Sequence, residues 1–194
     1  LIGIALVSWV VSNTLVSIIY LVTPKLNKAK DINIRNTSLS MIIAHFGVGI
    51  IILGITGSSV WQEEKITQMK VNDKTVVKNY NIVFKEIIKI EGVNYYAIQG
   101  NFWIYNKKNR IITTLKPENR FYPATNNSTT EASIHTNLLR DLYIVIGDGN
   151  INDGWVVRIY YNPLVIWIWI GVAIIFIGGL FALRKNLNTL GHSK

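Results

Sequence analysis

LSMIIAHFGVGIIILGITG, residues 39–57, contains no Asp, Glu, Lys or Arg. An α-helix rises about 1.5 Å per residue and the hydrocarbon core of a bilayer is about 30 Å thick, so a helix of this length can cross a membrane. Residues 1–22 and 164–183 are also uncharged and approach the roughly 20 residues that a spanning helix needs. The sequence therefore predicts an integral membrane protein with three transmembrane α-helices, at 1–22, 39–57 and 163–183.

Basic residues are concentrated in the short segments beside these helices. They are Lys25, Lys28, Lys30 and Arg35 in the predicted loop 23–38, and Arg184, Lys185 and Lys194 in the predicted tail 184–194. Short basic segments stay on the cytoplasmic or mitochondrial matrix side, so residues 58–162 are expected to face the periplasm or the intermembrane space. This topology accounts for much of the net charge of +9 without a nucleic-acid partner.

Residues 58–162 have the pattern of a mainly β domain. Runs rich in Ile, Val, Tyr and Phe, such as NYYAIQGNFWIY at 94–105, are separated by Gly, Asn, Asp and Pro. We expect turns at 91–94 and 106–109, a polar loop at 125–130 and a longer loop across 147–154. The chain has no cysteine, so disulfides and thiolate metal sites are excluded.

Aromatic residues gather where this domain meets the predicted helices. They are Trp61, Tyr160, Tyr161, Trp167 and Trp169. Such rings favour the headgroup level of a bilayer, and anchoring is the simpler interpretation. Stacking on a flat hydrophobic cofactor is the alternative. Pro163 suits the first turn of the third helix, where its missing N–H costs nothing.

His45 is a titratable group in an otherwise uncharged predicted helix, where it costs free energy and therefore needs a partner. Met41 and Gly49 lie one turn away on the same helix face. The groove beside Gly49 can admit a neighbouring helix or one edge of a porphyrin ring. The residues alone leave two alternatives open: His45 hydrogen-bonds another helix, or it is an axial ligand of haem iron.

Charged residues of the outer domain show no spacing that favours acid–base catalysis, so no catalytic residue is predicted. Glu118, Arg120 and Asp141 are expected on solvated faces or in salt bridges. His135 and His192 are expected to be solvated. Arg140 and Arg158 are candidates for docking haem propionates or an acidic partner through bidentate hydrogen bonds.

Four stretches carry a resemblance to a known family. In order they are MIIAHFGVGIIILGIT (41–56), GVNYYAIQG (92–100), LKPENRFYP with TEASIHTNLLRDLYIVIGD (115–148), and WVVRIYYNPLVIWIWIGVAIIFIGGLFA (155–182). Over residues 41–182 they resemble the C-terminal third of the CcmF family, the large haem-lyase subunit of system I cytochrome c maturation. This resemblance implies a part in joining haem to the two thiols of a Cys-x-x-Cys-His motif in apocytochrome c.

The resemblance also implies a resident b-type haem in the membrane. His45, in its AHFG context, matches one of the two axial histidines of the family. The second ligand, the tryptophan-rich segment that cradles delivered haem and the two outer histidines beside it belong to earlier parts of the family sequence that this chain lacks. The resemblance therefore implies half a haem site, and the chain is not expected to be an active lyase alone.

The implied partners are apocytochrome c, the haem chaperone CcmE, CcmH- or CcmI-type subunits and the N-terminal part of CcmF, in the bacterial or mitochondrial inner membrane. Because the first residue is Leu, we expect a fragment or a naturally split subunit. Two alternatives remain. One is a membrane-anchored scaffold that recruits cytochrome assembly partners without binding haem; the other is the paralogue specific for nitrite reductase.

Overall fold

The protein divides into a helical unit and a β unit. The structure is a computed structural model that describes residues 2–23 and 39–191. The β unit is Trp61–Pro163, and the helical unit is formed by residues before 61 and after 163. Residues 24–38 of the predicted basic loop and 192–194 of the predicted tail lie outside the described residues.

The helical unit consists of α1 (Ile2–Val22), α2 (Leu39–Val60) and α3 (Val165–Gly191). All three are long and apolar enough to cross a membrane. Helix α3 extends beyond the predicted span, through residues 184–191. One predicted detail is wrong, since Pro163 does not begin this helix. Pro163 ends the last strand, and Leu164, with a φ of 59°, separates that strand from the helix.

Helices α2 and α3 approach closely along a row of small residues. A Cβ atom placed on Gly47 would lie 2.8 Å from the Gly171 carbonyl oxygen and 2.7 Å from Ile175 Cγ1. Nearer the end of α2, Gly54 faces Ile168, so the two helices run antiparallel. Close backbone contact of this kind is how small residues bring membrane helices together. The close approach of α2 and α3 therefore requires that Gly47 and Gly171 carry no side chain.

A valine at position 171 is expected to weaken this helix pair. The added Cβ of Gly171→Val would lie 2.7 Å from the Gly47 carbonyl oxygen, whereas a Cβ at Gly179 on the same helix meets no atom within 4 Å. Overpacking of a tight contact costs about 1–3 kcal/mol. In mixed micelles, Gly171→Val should unfold at a lower SDS fraction than the wild type, and the matched Gly179→Val should not. Equal shifts for both variants would contradict the packing described.

The β unit is a two-sheet antiparallel sandwich. Its strands are β1 (Glu63–Met69), β2 (Lys74–Val77), β3 (Tyr80–Glu91), β4 (Tyr96–Asn106), β5 (Ile111–Leu115), β6 (Glu118–Tyr122), β7 (Asn127–Glu131), β8 (Ser133–Thr136), β9 (Arg140–Asn150) and β10 (Gly154–Pro163). One sheet has the order β1-β10-β9-β8. The other has the order β2-β3-β4-β6-β7, with β5 also paired to β4. The prediction of a mainly β domain is confirmed.

The core lies between the two sheets and follows the alternation of side chains along each strand. In β9 and β10 the inward residues include Leu142, Ile144, Val157 and Ile159, all fully buried. Phe84 and Phe102 of the other sheet stack with ring centroids 4.5 Å apart, and the Trp155 ring meets Phe84 edge-on. This continuous apolar layer fixes which face of each strand can present functional side chains.

Two predicted loops are shorter than expected because strands extend into them. Residues 127–131 form β7, and β9 continues to Asn150. The β9–β10 connection is a tight turn in which the Asn150 side-chain oxygen accepts hydrogen bonds from the backbone N–H groups of Asn152 and Asp153. The turn around Asn106–Asn109 forms as predicted, with Asn109 at a φ of 57°.

Two of the aromatic residues assigned to the boundary belong to the sandwich instead. Tyr161 packs against its core, and Tyr160 stacks on Tyr143 with ring centroids 4.4 Å apart. Trp61 and Trp169 remain at least half exposed. Only these exposed rings retain the pattern of interfacial anchors.

Candidate functional site

His45 lies on α2 with its imidazole oriented by its own helix. The Nδ1 atom is 2.8 Å from the Met41 carbonyl oxygen. Because a carbonyl can only accept, Nδ1 is the protonated nitrogen of the neutral ring, and Nε2 keeps its lone pair. A histidine that donates from one ring nitrogen to a backbone carbonyl is held in the tautomer and orientation that a metal ligand needs.

The His45 side chain is exposed at a groove of about 290 Å³ between α1 and α2. The α1 wall carries Asn13, Thr14 and Ser17, and each of these donates its side-chain hydrogen bond to a carbonyl of α1 itself. Among the described residues, no side chain hydrogen-bonds Nε2 of His45. The interhelical hydrogen bond that was one alternative for His45 is therefore not made within this part of the chain.

Gly49 does not leave open space beside the imidazole. It is buried, and a Cβ atom placed on it would lie 3.4–3.5 Å from side-chain atoms of Val10 and Val11 on α1. The space beside Gly49 is therefore filled by helix α1, and Gly49 does not line the open groove of about 290 Å³ at His45. Gly49 thus brings α1 against α2 and helps to form the wall beside His45.

The residues at this groove fit one side of a haem site. They offer one imidazole with a free Nε2 and an apolar wall that includes Trp9 and Ile42. Pockets that enclose a drug-sized ligand occupy about 300–1,000 Å³, so an open groove of 290 Å³ holds only part of a large planar group. A large planar group bound here would need a further wall from outside the described residues.

The prediction that Arg140 docks haem propionates or a partner is wrong. Arg140 is only 2% exposed and points into the sandwich. Its Nε donates to the Tyr80 hydroxyl at 2.8 Å, and its Nη1 donates to Nδ1 and to the carbonyl oxygen of His135, each at 2.8 Å. The guanidinium also lies over the Tyr80 ring. Arg140 is in phase with Leu142 and Ile144 along β9, which places it inside.

Arg158 keeps its place as a docking candidate. It is exposed on the outward face of β10, beside the stacked rings of Tyr143 and Tyr160, in a cleft of about 530 Å³ that also includes Asp148. Since Arg140 faces the core, the structure does not bring the two arginines to one site. Any docking on this face would use Arg158 alone.

Of the remaining charged candidates, Glu118 and Arg120 form the expected salt bridge. Asp141 forms no salt bridge with another described residue, and its Oδ1 is buried without a hydrogen-bond partner among them. Arg120 Nε lies 2.8 Å from a Glu118 carboxylate oxygen, whose other oxygen accepts a hydrogen bond from Gln99. This hydrogen bond to Glu118 raises the pKa of Arg120. Among the described residues, no group of His, Asp and Glu side chains could hold a metal ion.

His135 is expected from the sequence to be solvated, yet it is half-buried and is a hydrogen-bond partner of Arg140. Because a guanidinium only donates, Nδ1 of His135 accepts from Arg140, and a proton added there would break this hydrogen bond beside a fixed positive charge. Burial, and then the charge of Arg140, lower the pKa of His135 below 6.5. Its sequence context, an alternating strand ending at Thr136, could have placed it inward.

The sandwich is therefore expected to lose stability in acid. Since the folded state lowers the His135 pKa, the unfolded chain binds the proton first, and stability falls as pH drops below about 6.5 until the folded pKa is passed. Urea unfolding followed by near-ultraviolet circular dichroism should show a lower midpoint at about pH 5 than at about pH 7.5. His135→Gln should reduce this difference. An unchanged difference would refute the role of His135.

Together these units define a class: helices apolar enough to cross a membrane that carry a two-sheet β-sandwich, with one outward histidine on α2. Residues 60–163 match the family model described as the CcmF C-terminal beta-sandwich. The chain belongs to the CcmF family of cytochrome c-type biogenesis proteins.

Individual relatives agree with this assignment. The cytochrome c-type biogenesis protein CcmF of Haemophilus influenzae is 33% identical over 165 residues, covering 82% of this chain and 25% of the relative. The biogenesis protein NrfE of the same bacterium is 27% identical over 149 residues, covering 77% of this chain and 23% of the relative. The chain thus spans about a quarter of the length of the curated relatives that it matches.

A solved structure has the same fold. The structure described as cytochrome c heme lyase CcmF matches with a TM-score of 0.59 and 18% sequence identity. The match covers 74% of this chain and 24% of that chain. The fold shown here is therefore that of one part of a longer chain.

Proposed function

We propose that this chain is the C-terminal part of a cytochrome c haem lyase and that His45 is one of two axial ligands of a b-type haem in its membrane region. The carrying observation is the His45 side chain, which lines an open groove while its Nδ1 is engaged by the Met41 carbonyl oxygen. The second ligand is a histidine of a helix outside this chain, in the N-terminal part of the lyase.

Each residue at the groove has a defined part in this proposal. Met41 fixes the imidazole tautomer through its backbone carbonyl, and Gly49 allows α1 to pack against α2 and form one wall of the groove. An apolar surrounding excludes water and controls the ligand environment of a metal site. A haem bound there would pass electrons that keep the delivered haem reduced. The thiols that form thioethers belong to the apocytochrome, so a chain without cysteine can take part in this reaction.

The proposed location is the inner membrane of a bacterium or mitochondrion, with the β-sandwich on the periplasmic or intermembrane-space side. The basic residues between the first two helices and after the third support this orientation. The proposed partners are apocytochrome c, the chaperone CcmE, subunits of the CcmH and CcmI type, and the N-terminal part of CcmF. Arg158 and the adjacent tyrosines form a surface that suits such contacts, since Tyr and Arg are enriched at binding hot spots.

The main alternative is a scaffold that recruits assembly partners without binding haem. The exposed face around Arg158 would serve either function, but a scaffold does not require the orientation of His45. The nitrite-reductase-specific paralogue is a second alternative, and the lower identity to NrfE than to CcmF of the same bacterium favours the general lyase.

Covalent haem staining of c-type cytochromes tests the proposal. In cells that produce this chain with the rest of the maturation machinery, His45→Ala should lower the staining by about tenfold or more, as expected for loss of a metal-site interaction. Phe46→Ala, a change at the neighbouring exposed position, should leave staining near the wild-type level. Normal staining in a stably produced His45→Ala variant would favour the scaffold.

A further inference from the structure

One end of the β-sandwich carries both connections to the helices. Two residues lie between the end of α2 and the start of β1, and one residue lies between the end of β10 and the start of α3. Strand register brings other segments to the same end: Glu63 pairs with Tyr161, and Arg140 pairs with Pro163. We call this the attachment end of the sandwich.

The turn at residues 106–110 belongs to the attachment end. Tyr80 pairs with Asn106 at the end of β4, and the Tyr80 hydroxyl accepts a hydrogen bond from Arg140. The preceding turn is tied to the same end by an ion pair of 2.9 Å between Lys78 and Glu63. The hydrogen bonds and pairings of the sandwich thus hold two turns beside the chain connections.

Three cations project from this turn. Lys107, Lys108 and Arg110 are exposed, and none of them forms an ion pair with another described residue. The Asn106 side-chain oxygen accepts hydrogen bonds from the N–H groups of Lys108 and Arg110, so the turn has a set shape. Cations held in this way attract phosphate groups without a large loss of backbone freedom.

Two large apolar side chains project from the loop between β8 and β9 at the same end. Leu138 is 64% exposed and Leu139 is 69% exposed. The Asn137 side-chain oxygen accepts the N–H groups of Leu139 and Arg140, which fixes the loop that presents them. Adjacent exposed leucines beside a group of cations have the composition of a surface that binds at the membrane interface.

We propose that the attachment end docks on the bilayer surface, with Leu138 and Leu139 at the headgroup boundary and Lys107, Lys108 and Arg110 on the phosphates of anionic phospholipids. This inference rests on the proposed membrane insertion of the helices. The connections of two residues and one residue hold this end near the membrane once α2 and α3 insert. The charge and the apolar side chains then match the two layers of a lipid interface.

Single cysteine labels test the docking because the chain has no cysteine of its own. The full chain carrying Leu139→Cys is labelled with a nitrobenzoxadiazole dye and reconstituted in vesicles of phosphatidylcholine, alone or mixed with phosphatidylglycerol. Val93→Cys is the matched control, since Val93 is fully exposed at the opposite end of the sandwich, in the β3–β4 turn. Phe176→Cys on α3 reports helix insertion separately from any haem or cytochrome measurement.

The expected result is a blue-shifted dye at position 139 that doxyl lipids quench, and an unshifted, unquenched dye at position 93. The triple variant Lys107→Gln, Lys108→Gln, Arg110→Gln should reduce quenching at 139 several-fold in phosphatidylglycerol vesicles and remove its salt dependence. Equal solvent exposure at 139 and 93 would overturn the proposal, as would an unquenched Phe176→Cys label. A shift at 139 only after other maturation subunits are added would assign the surface to a protein partner instead.

Discussion

Replacing Arg140 with methionine is expected to lower the free energy of unfolding of the β-sandwich by about 2–5 kcal/mol. The methionine keeps much of the apolar volume but has no hydrogen-bond donor. The Tyr80 hydroxyl oxygen, Nδ1 of His135 and the His135 carbonyl oxygen therefore lose the donor that Arg140 supplies. Tyr80 and His135 are half-buried residues, and a buried polar group left unpaired costs about 1–3 kcal/mol. The variant no longer has to bury a guanidinium charge, which favours folding. The loss of three hydrogen bonds and of the contact with the Tyr80 ring outweighs this gain.

Amide hydrogen exchange of the full chain in detergent measures this effect in the sandwich itself. Peptides from β9 and β10 should exchange faster in Arg140→Met at fixed pH, since their protection reports the free energy of opening. Arg158→Met is the matched control, because Arg158 is an exposed cation on the adjacent strand and should change stability by less than about 0.5 kcal/mol. Equal protection in the two variants would show that Arg140 is not a structural residue.

The sequence was sufficient to predict the two units because each has a strong pattern. Charge-free stretches of about 20 residues mark the helices, and β-rich runs broken by turn residues mark the sandwich. The sequence does not predict the full extent of β9, because Gly147 and Gly149 are residues typical of a loop. In the sheet, Gly149 lies against the Gly154 carbonyl and Trp155, where a side chain would not fit. Such a close approach between strands depends on tertiary pairing that composition does not reveal.

The inward position of Arg140 could have been predicted from the two-residue alternation of side chains along a β-strand. In the stretch RDLYIVIG, the arginine is in phase with Leu142, Ile144 and Ile146, which places it on the inward face. The charge of Arg140 suggested a surface function, and the strand period overrides that suggestion. The partners of Arg140 could not be predicted, because Tyr80 is 60 residues away and on the other sheet.

The position of His45 on its helix was predictable, but the orientation of its ring was not. A spacing of four residues brings His45 beside the Met41 carbonyl, and many rotamers would avoid that contact. In the structure the ring makes that contact through Nδ1, and the His45 side chain lines the groove. Likewise, the sequence does not predict what fills the space beside Gly49. In the structure, Val10 and Val11 of helix α1 fill it.

The second large effect is expected from His45→Ala in the assembled lyase. In the proposed ligation, an alanine would leave the iron without one of its two imidazoles, so the purified complex should lose the sharp low-spin absorption of a six-coordinate b-type haem. The apolar wall formed by α1 does not involve the imidazole, so helix packing should be unaffected. Visible spectra of reduced and oxidised complex, normalised to protein, measure the change.

His135→Ala is the control for this experiment. It removes an imidazole from the β-sandwich and should leave the low-spin absorption of the complex intact while lowering the stability of that unit. An identical spectrum for His45→Ala and the wild type, with normal assembly of the complex, would assign the haem ligands to other residues.

The most direct test of ligation by His45 is to replace the missing imidazole from solution. The variant His45→Gly leaves a space at the α1–α2 groove where free imidazole can enter. Titration of the purified complex with imidazole should restore the low-spin b-type spectrum in His45→Gly and leave the wild-type spectrum unchanged. A low-spin spectrum in His45→Gly before any imidazole is added would contradict the account.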